Sequence, residues 1–235
     1  MRLRNRVASG FFAAAVLAGC ATSQVTSRQE YEGARLPRPN QIWVYDFTAN
    51  AADVPAGSAL SGSPVASSTP PSAEESEAAR KLGAEVAKDL VAEIQAMGLP
   101  AQQATAQTRP QVGDYVLRGY FVTIDEGSAG KRIMLGFGSG AANLTTSVEG
   151  YQVTPQGLRL LGGEEVQSGG NKTPGLIVPI AIVAATANPI GLVIGGAAKA
   201  YGQVSGSDTI EGMGQRTAKT IGEQLRGAFQ RQGWI

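Results

Sequence analysis

The hydrophobic patterning of a folded domain sets in at Gln41. Ile42, Trp43, Val44, Tyr45 and Phe47 put apolar side chains on both faces of an extended segment, broken only by Asp46. That pattern predicts a central strand covered on both sides. Thr48 to Ala73 is then rich in Ala, Ser, Pro and Gly, with Asp53 its only charge. Such a stretch buries too little surface to offset its ordering entropy, so a mobile excursion is expected over 48–73. Pro70-Pro71 closes it. Ser72 and Glu75 have the spacing of a capping box, in which hydroxyl and carboxylate each satisfy a free amide at a helix start. Leu82, Val86, Leu90, Ile94 and Met97 continue as one apolar stripe, and Gly98 and Pro100 stop the helix.

A short edge strand is expected near Leu99 to Ala106. Asp114 to Asp125 is a β-prone run with Gly119 in its middle, where a bend is expected. From Ala142 to Val153, Leu144, Thr146 and Val148 alternate with Thr145, Ser147, Glu149 and Tyr151, as in a sheet with one wet face. Pro155-Gln156-Gly157 is a turn signal, so Leu158 to Val166 should complete a hairpin. Ile210, Met213, Thr217, Ile221, Leu225 and Phe229 line one face of a last helix that begins around Asp208-Thr209-Ile210-Glu211. Gly233 ends it, and Trp234-Ile235 should fold back on the core. These elements predict an α+β fold: a small mixed or antiparallel sheet packed by two amphipathic helices, one domain over 41–235.

The first forty residues have a different character. Arg2, Arg4 and Arg6 precede an apolar run, Val7 to Leu17, that is about half of the ~20 residues a bilayer-crossing helix needs. This predicts a signal peptide over 1–19. The run ends in Leu17-Ala18-Gly19-Cys20, which resembles the bacterial lipobox. The resemblance implies cleavage before Cys20, diacylation of its thiol and acylation of the new amino terminus. Three buried acyl chains, at about 0.8 kcal/mol per methylene, anchor a protein stably. Residues 20–40, polar and ending in Leu36-Pro37-Arg38-Pro39-Asn40, are expected to form an acylated, extended tether. Ala21 rather than Asp after the cysteine resembles lipoproteins sorted onward to an outer membrane, so the expected location is its inner leaflet, facing the periplasm.

Between Lys172 and Lys199 lie 26 residues without charge. Pro179 and Asn188-Pro189 divide them into pieces of about ten residues, each reaching only about 15 Å as helix, half the hydrocarbon thickness. A crossing would also strand the last helix on the wrong side of the sheet. Two readings stay open for 173–199: a buried helical hairpin inserted in the domain, or an element that dips into a bilayer or packs against copies of itself. Gly191 and Gly195 form a GxxxG spacing that lets helix backbones approach closely, either within the domain or as a homo-oligomerisation surface.

Composition narrows the chemistry. The 235 residues include no His and one Cys, which excludes His-based metal sites, Ser–His and Cys–His catalysis and intrachain disulfides. Loss of Arg2, Arg4 and Arg6 takes the formal net charge from +1 to −2, and no basic patch interleaved with aromatics points to nucleic acid. Gly136-Phe137-Gly138-Ser139-Gly140 lacks the third glycine of a dinucleotide fingerprint, with Ala141 in its place, and there is no Gly-Lys-Ser or Gly-Lys-Thr. A bend between strands is expected there, and Lys131 and Arg132 before it read as solvated. Asp125-Glu126 and Glu164-Glu165 are adjacent carboxylates, whereas a glycosidase needs two facing each other across a cleft. Neighbours on a strand face opposite ways, so these pairs are expected to be solvated. No catalytic residue, cofactor or metal ligand is expected.

The chain resembles bacterial lipoproteins of the domain of unknown function 4410. The matching features are the lipobox at Cys20, Ile42-Trp43-Val44-Tyr45-Asp46-Phe47, the run Tyr120-Phe121-Val122-Thr123-Ile124-Asp125-Glu126-Gly127-Ser128, Arg132 leading into Gly136 to Gly140, and the Gly-rich apolar stretch before the last helix. That group in turn looks like the curli secretion lipoprotein and the amino-terminal domain of TolB. The resemblance implies a small α/β periplasmic domain that binds envelope proteins or assembles into rings, and it brings no catalytic residues. The expected function is a non-enzymatic, lipid-anchored envelope lipoprotein that binds or helps assemble other envelope proteins. The alternative is an oligomeric membrane-inserting or pore-forming lipoprotein using 173–199.

Overall fold

The computed structural model describes residues 22–50, 54, 58, 72–125, 143–169 and 210–235. Several expectations lie outside the described residues: the signal peptide, Cys20, Lys131, Arg132, the glycines from 136 to 140, most of the excursion over 48–73, and the segment 173–199 with Gly191 and Gly195. The described residues form β1 (Thr22–Gln29), β2 (Ile42–Val44), α1 (Ala73–Ala96), β3 (Ala101–Gln103), β4 (Tyr115–Asp125), β5 (Asn143–Thr154), β6 (Gly157–Gly169) and α2 (Ile210–Gln232).

The strands make one mixed sheet in the order β1-β6-β5-β4-β2-β3. β4, β5 and β6 are an antiparallel meander, β1 pairs antiparallel with β6, and β2 lies parallel to both β4 and β3. The fold is thus α+β, with two helices and a mixed six-stranded sheet.

α1 starts where its capping box predicts: Glu75 N–H donates to Ser72 Oγ (3.2 Å) and Ser72 N–H donates to the Glu75 carboxylate (2.7 Å). Its stripe of Leu82, Val86, Leu90 and Ile94 is buried together with Met213, Ala218, Ile221 and Phe229 of α2. Both stripes share one core with Ile42, Val44, Leu117, Phe121, Leu144, Val148 and Val166 of the sheet. Each such side chain, fully buried, contributes roughly 1.5–3 kcal/mol of hydrophobic stabilisation. Gly98, at φ +79, follows the Met97 cap of α1, and Gly233, at φ +75, follows α2. Trp234 folds back and is buried, whereas Ile235 stays exposed.

Four expectations are corrected. Residues 20–40 are not an extended tether throughout, because Thr22–Gln29 is a strand in register with β6 from Thr22↔Gly169 to Gln29↔Gly163. Its polar sequence shows no apolar alternation, and the open edge of β6 provides the pairing that its own composition does not announce. Leu36 is tied down as well, its amide donating to Gln232 Oε1 (2.7 Å) and its carbonyl accepting from the Trp234 indole (3.0 Å).

β2 is paired on both sides but not buried on both faces. Ile42 and Val44 are fully buried while Trp43 and Tyr45 are half-buried, and the Trp43 indole donates to Asp114 Oδ2 (2.9 Å).

Gly119 does not bend β4. It leaves space for the Phe47 ring, which a Cβ there would overlap, just as a Cβ on Gly83 of α1 would overlap the Phe47 carbonyl. The irregularity in β4 falls between Phe121 and Thr123 instead. Finally, the face of β5 expected to be wet is buried at Ser147, Glu149 and Tyr151.

Candidate functional site

Two buried glutamates stand on opposite faces of the sheet. On the face away from the helices, Glu149 accepts a short hydrogen bond from the Tyr151 hydroxyl. Tyr120 lies in the same cluster, and beside it the Arg118 guanidinium sits 4.6 Å from the centre of the Tyr45 ring. Burial, and next the Glu149 charge, pushes the Tyr120 phenol above its ordinary range, against the pull of Arg118. Burial, and next the bond to Glu149, does the same to Tyr151, which also contacts buried Ser58. Within this cluster the Glu149–Tyr151 pair is satisfied, whereas the Tyr120 hydroxyl and Arg118 Nε are buried without a hydrogen-bond partner among the described residues.

Glu164 is arranged differently. β6 pairs Glu164 with Val148 on one side and with Arg28 of β1 on the other. Its side chain, 6% exposed, faces a cavity of about 100 Å³ between the sheet and α2. Tyr115, Val148, Leu225, Phe229 and Trp234 line that cavity with it. The three aromatic rings pack edge-on or tilted at centroid distances of 5.2 to 6.1 Å. Tyr115 reaches across β5 because residue 150 is Gly; a Cβ there would overlap the phenol oxygen.

At the rim, Glu30 holds both Arg28 (3.1 Å) and Arg231 (3.2 Å). Arg28 is thus paired with Glu30, and Glu164 Oε1, although buried, has no hydrogen-bond partner among the described residues. Burial pushes the Glu164 carboxyl up to about 7, with the Arg28 charge opposing. Burial, and next the Glu164 charge, pushes the Tyr115 phenol above its ordinary range.

The Glu164-Glu165 pair points to opposite faces as strand geometry requires, but Glu164 is not solvated. Glu165 accepts from Thr26 Oγ1 (2.8 Å), and burial raises its carboxyl as well, with that hydrogen bond opposing. Two carboxyls therefore line the cavity, Glu164 inside it and Glu30, paired with Arg28 and Arg231, at its rim. A buried acid titrating near neutrality among aromatic rings can accept or donate one hydrogen bond or one proton.

Strand period puts Glu164 on the same side as Val166, which is buried, so its inward direction is a signal the sequence carries. Arg28, Tyr115 and Trp234 reach it from a polar amino-terminal stretch, another strand and the chain end, and no local pattern links them. Among the described residues, no cluster of His, Cys, Asp and Glu is placed to hold a metal ion, and no helix is long and apolar enough to cross a membrane.

A family model described as Domain of unknown function (DUF4410) matches residues 42–187. No curated protein matches the chain. Among solved structures, the chain is similar to a PelC dodecamer from Paraburkholderia phytofirmans, at 15% identity and a TM-score of 0.38, covering 72% of this chain and 97% of that one. A PelC point variant from the same organism, also a dodecamer, gives 14% identity, a TM-score of 0.38 and coverages of 72% and 98%.

Proposed function

We propose that this chain, which belongs to the family Domain of unknown function (DUF4410), is a non-enzymatic, lipid-anchored envelope lipoprotein that binds or helps assemble other envelope proteins. The observation that carries the reading is Leu17-Ala18-Gly19-Cys20 at the end of a short apolar run behind three arginines. Ala21 favours the inner leaflet of an outer membrane, facing the periplasm.

β1 begins at Thr22. On this reading the acylated residue lies two positions from the sheet edge, within about 7 Å along an extended chain. The domain is then held close to the lipid surface, with β1 nearest to it. Two helices on one face of a mixed sheet support the finer reading of a TolB amino-terminal-like fold, with 173–199 as an apolar helical hairpin inserted in it.

The test is fractionation and crosslinking in cells. The intact chain should sediment with envelope membranes and capture envelope proteins, and Cys20→Ser should release it. Recovery of the unaltered chain in the soluble periplasm, or no partner after crosslinking, rejects the reading.

The uncharged 26-residue run to Ala198 favours a second reading, an oligomer in which 173–199 enters a bilayer. Protease shielding of that run only in the presence of lipid would select it over burial in the domain.

A further inference from the structure

We propose that the cavity between β6, β1 and α2 is a binding site for a small neutral alcohol or phenol, whose hydroxyl donates to Glu164 and whose apolar body lies against Tyr115, Leu225, Phe229 and Trp234. This inference does not depend on lipid anchoring.

Three observations converge on it. The cavity exists and has about 100 Å³ of room, somewhat less than the ~150 Å³ engineered cavity that accepts benzene, so the body it takes has about four to six heavy atoms. Tyr115, Leu117, Val148, Leu225, Phe229 and Trp234 give it an apolar side, the charged residues Arg28, Glu30 and Arg231 also line it, and Glu164 Oε1 is a buried polar atom of the lining that lacks a donor. A buried acceptor left in that state costs the fold stability, and a ligand that supplies the donor recovers it. A few convergent polar groups in an apolar pocket are the usual form of a small-molecule site.

Charge selects the neutral ligand. Arg28 and Arg231 share the one carboxylate of Glu30 at the rim, so a cation meets excess positive charge on entry. An anion must enter beside the Glu164 carboxyl itself. A hydroxyl both donates and accepts, and so fits Glu164 whether that group is ionised or protonated.

The probes are 1-butanol and 1-chlorobutane, which is alike in shape but has no donor. Each is titrated into the full chain while the Trp234 indole N–H resonance is followed by NMR. Butanol should give a saturable shift at millimolar concentrations, with chlorobutane about tenfold weaker. Glu164→Gln keeps an acceptor oxygen and should retain the preference for butanol, whereas Glu164→Leu should abolish it. Leu225→Trp, which fills the cavity, should eliminate both titrations with the fold intact by circular dichroism. A non-saturable butanol shift, equal binding of the two probes, or an unchanged preference in Glu164→Leu overturns the proposal.

Discussion

The two faces of the sheet solve the same problem in different ways. On each face a glutamate is almost fully removed from water, Glu149 at 2% exposure and Glu164 at 6%. Glu149 sits among polar neighbours and receives the Tyr151 hydroxyl. Glu164 sits among Tyr115, Phe229 and Trp234, with one oxygen unmatched and its cross-strand neighbour Arg28 paired with Glu30. The difference shows that burial alone does not decide a carboxylate's role. A fully engaged group fixes structure, whereas an acid left over in an apolar cavity remains open to a proton or a ligand.

The comparison can be broken most severely on the helix-covered face. Phe47→Ala empties the space that Gly119 leaves for the ring and should cost about 3–5 kcal/mol, read from urea unfolding. No change would mean that the core does not close over Phe47.

Next in size is the pH response of Glu164. Its carboxyl is raised in the folded state to about 7, so between ~4.3 and ~7 the native protein binds more protons than the unfolded chain. Stability from this group is fully present below that window and is lost as pH rises through it, by at most about 3.5 kcal/mol. Glu165 contributes with the same sign. Glu164→Gln should flatten most of this slope in chemical denaturation at several pH values; an unchanged slope would place the burden elsewhere.

Tyr151→Phe removes the donor to Glu149 and should cost about 2 kcal/mol at neutral pH, leaving the Glu164 slope intact. If instead it altered that slope, the two faces would be coupled rather than independent. Ser72→Ala touches neither face and should cost about 1 kcal/mol through the lost helix cap, which sets the scale for a purely local change.

Elements whose signals are local were legible in the sequence. The capping box at Ser72, the apolar stripes of both helices, the turn before Gly157 and the alternation of Leu144, Thr146 and Val148 each depend on residues within a few positions. What depended on distant partners was not. Thr22–Gln29 is a strand because β6 offers an edge, and nothing in its own pattern says so. Gly119 looked like a bend because its actual neighbour, the Phe47 ring, comes from another strand's end. The cavity was hidden for the same reason: Arg28, Tyr115, Glu164 and Trp234 come from four separate parts of the chain. Had β1 been assigned, Glu164 would have been seen as an interior-strand residue rather than as half of a solvated pair.

The proposed anchoring is tested most directly by the intact mass and amino-terminal peptide of the mature chain purified from envelope membranes. The account predicts a product that begins at Cys20, carries one diacylglyceryl group, with its two acyl chains, on the sulfur, and one acyl chain on its amino group. A mature chain with an unmodified Cys20 thiol, or one that still carries residues 1–19, would contradict it.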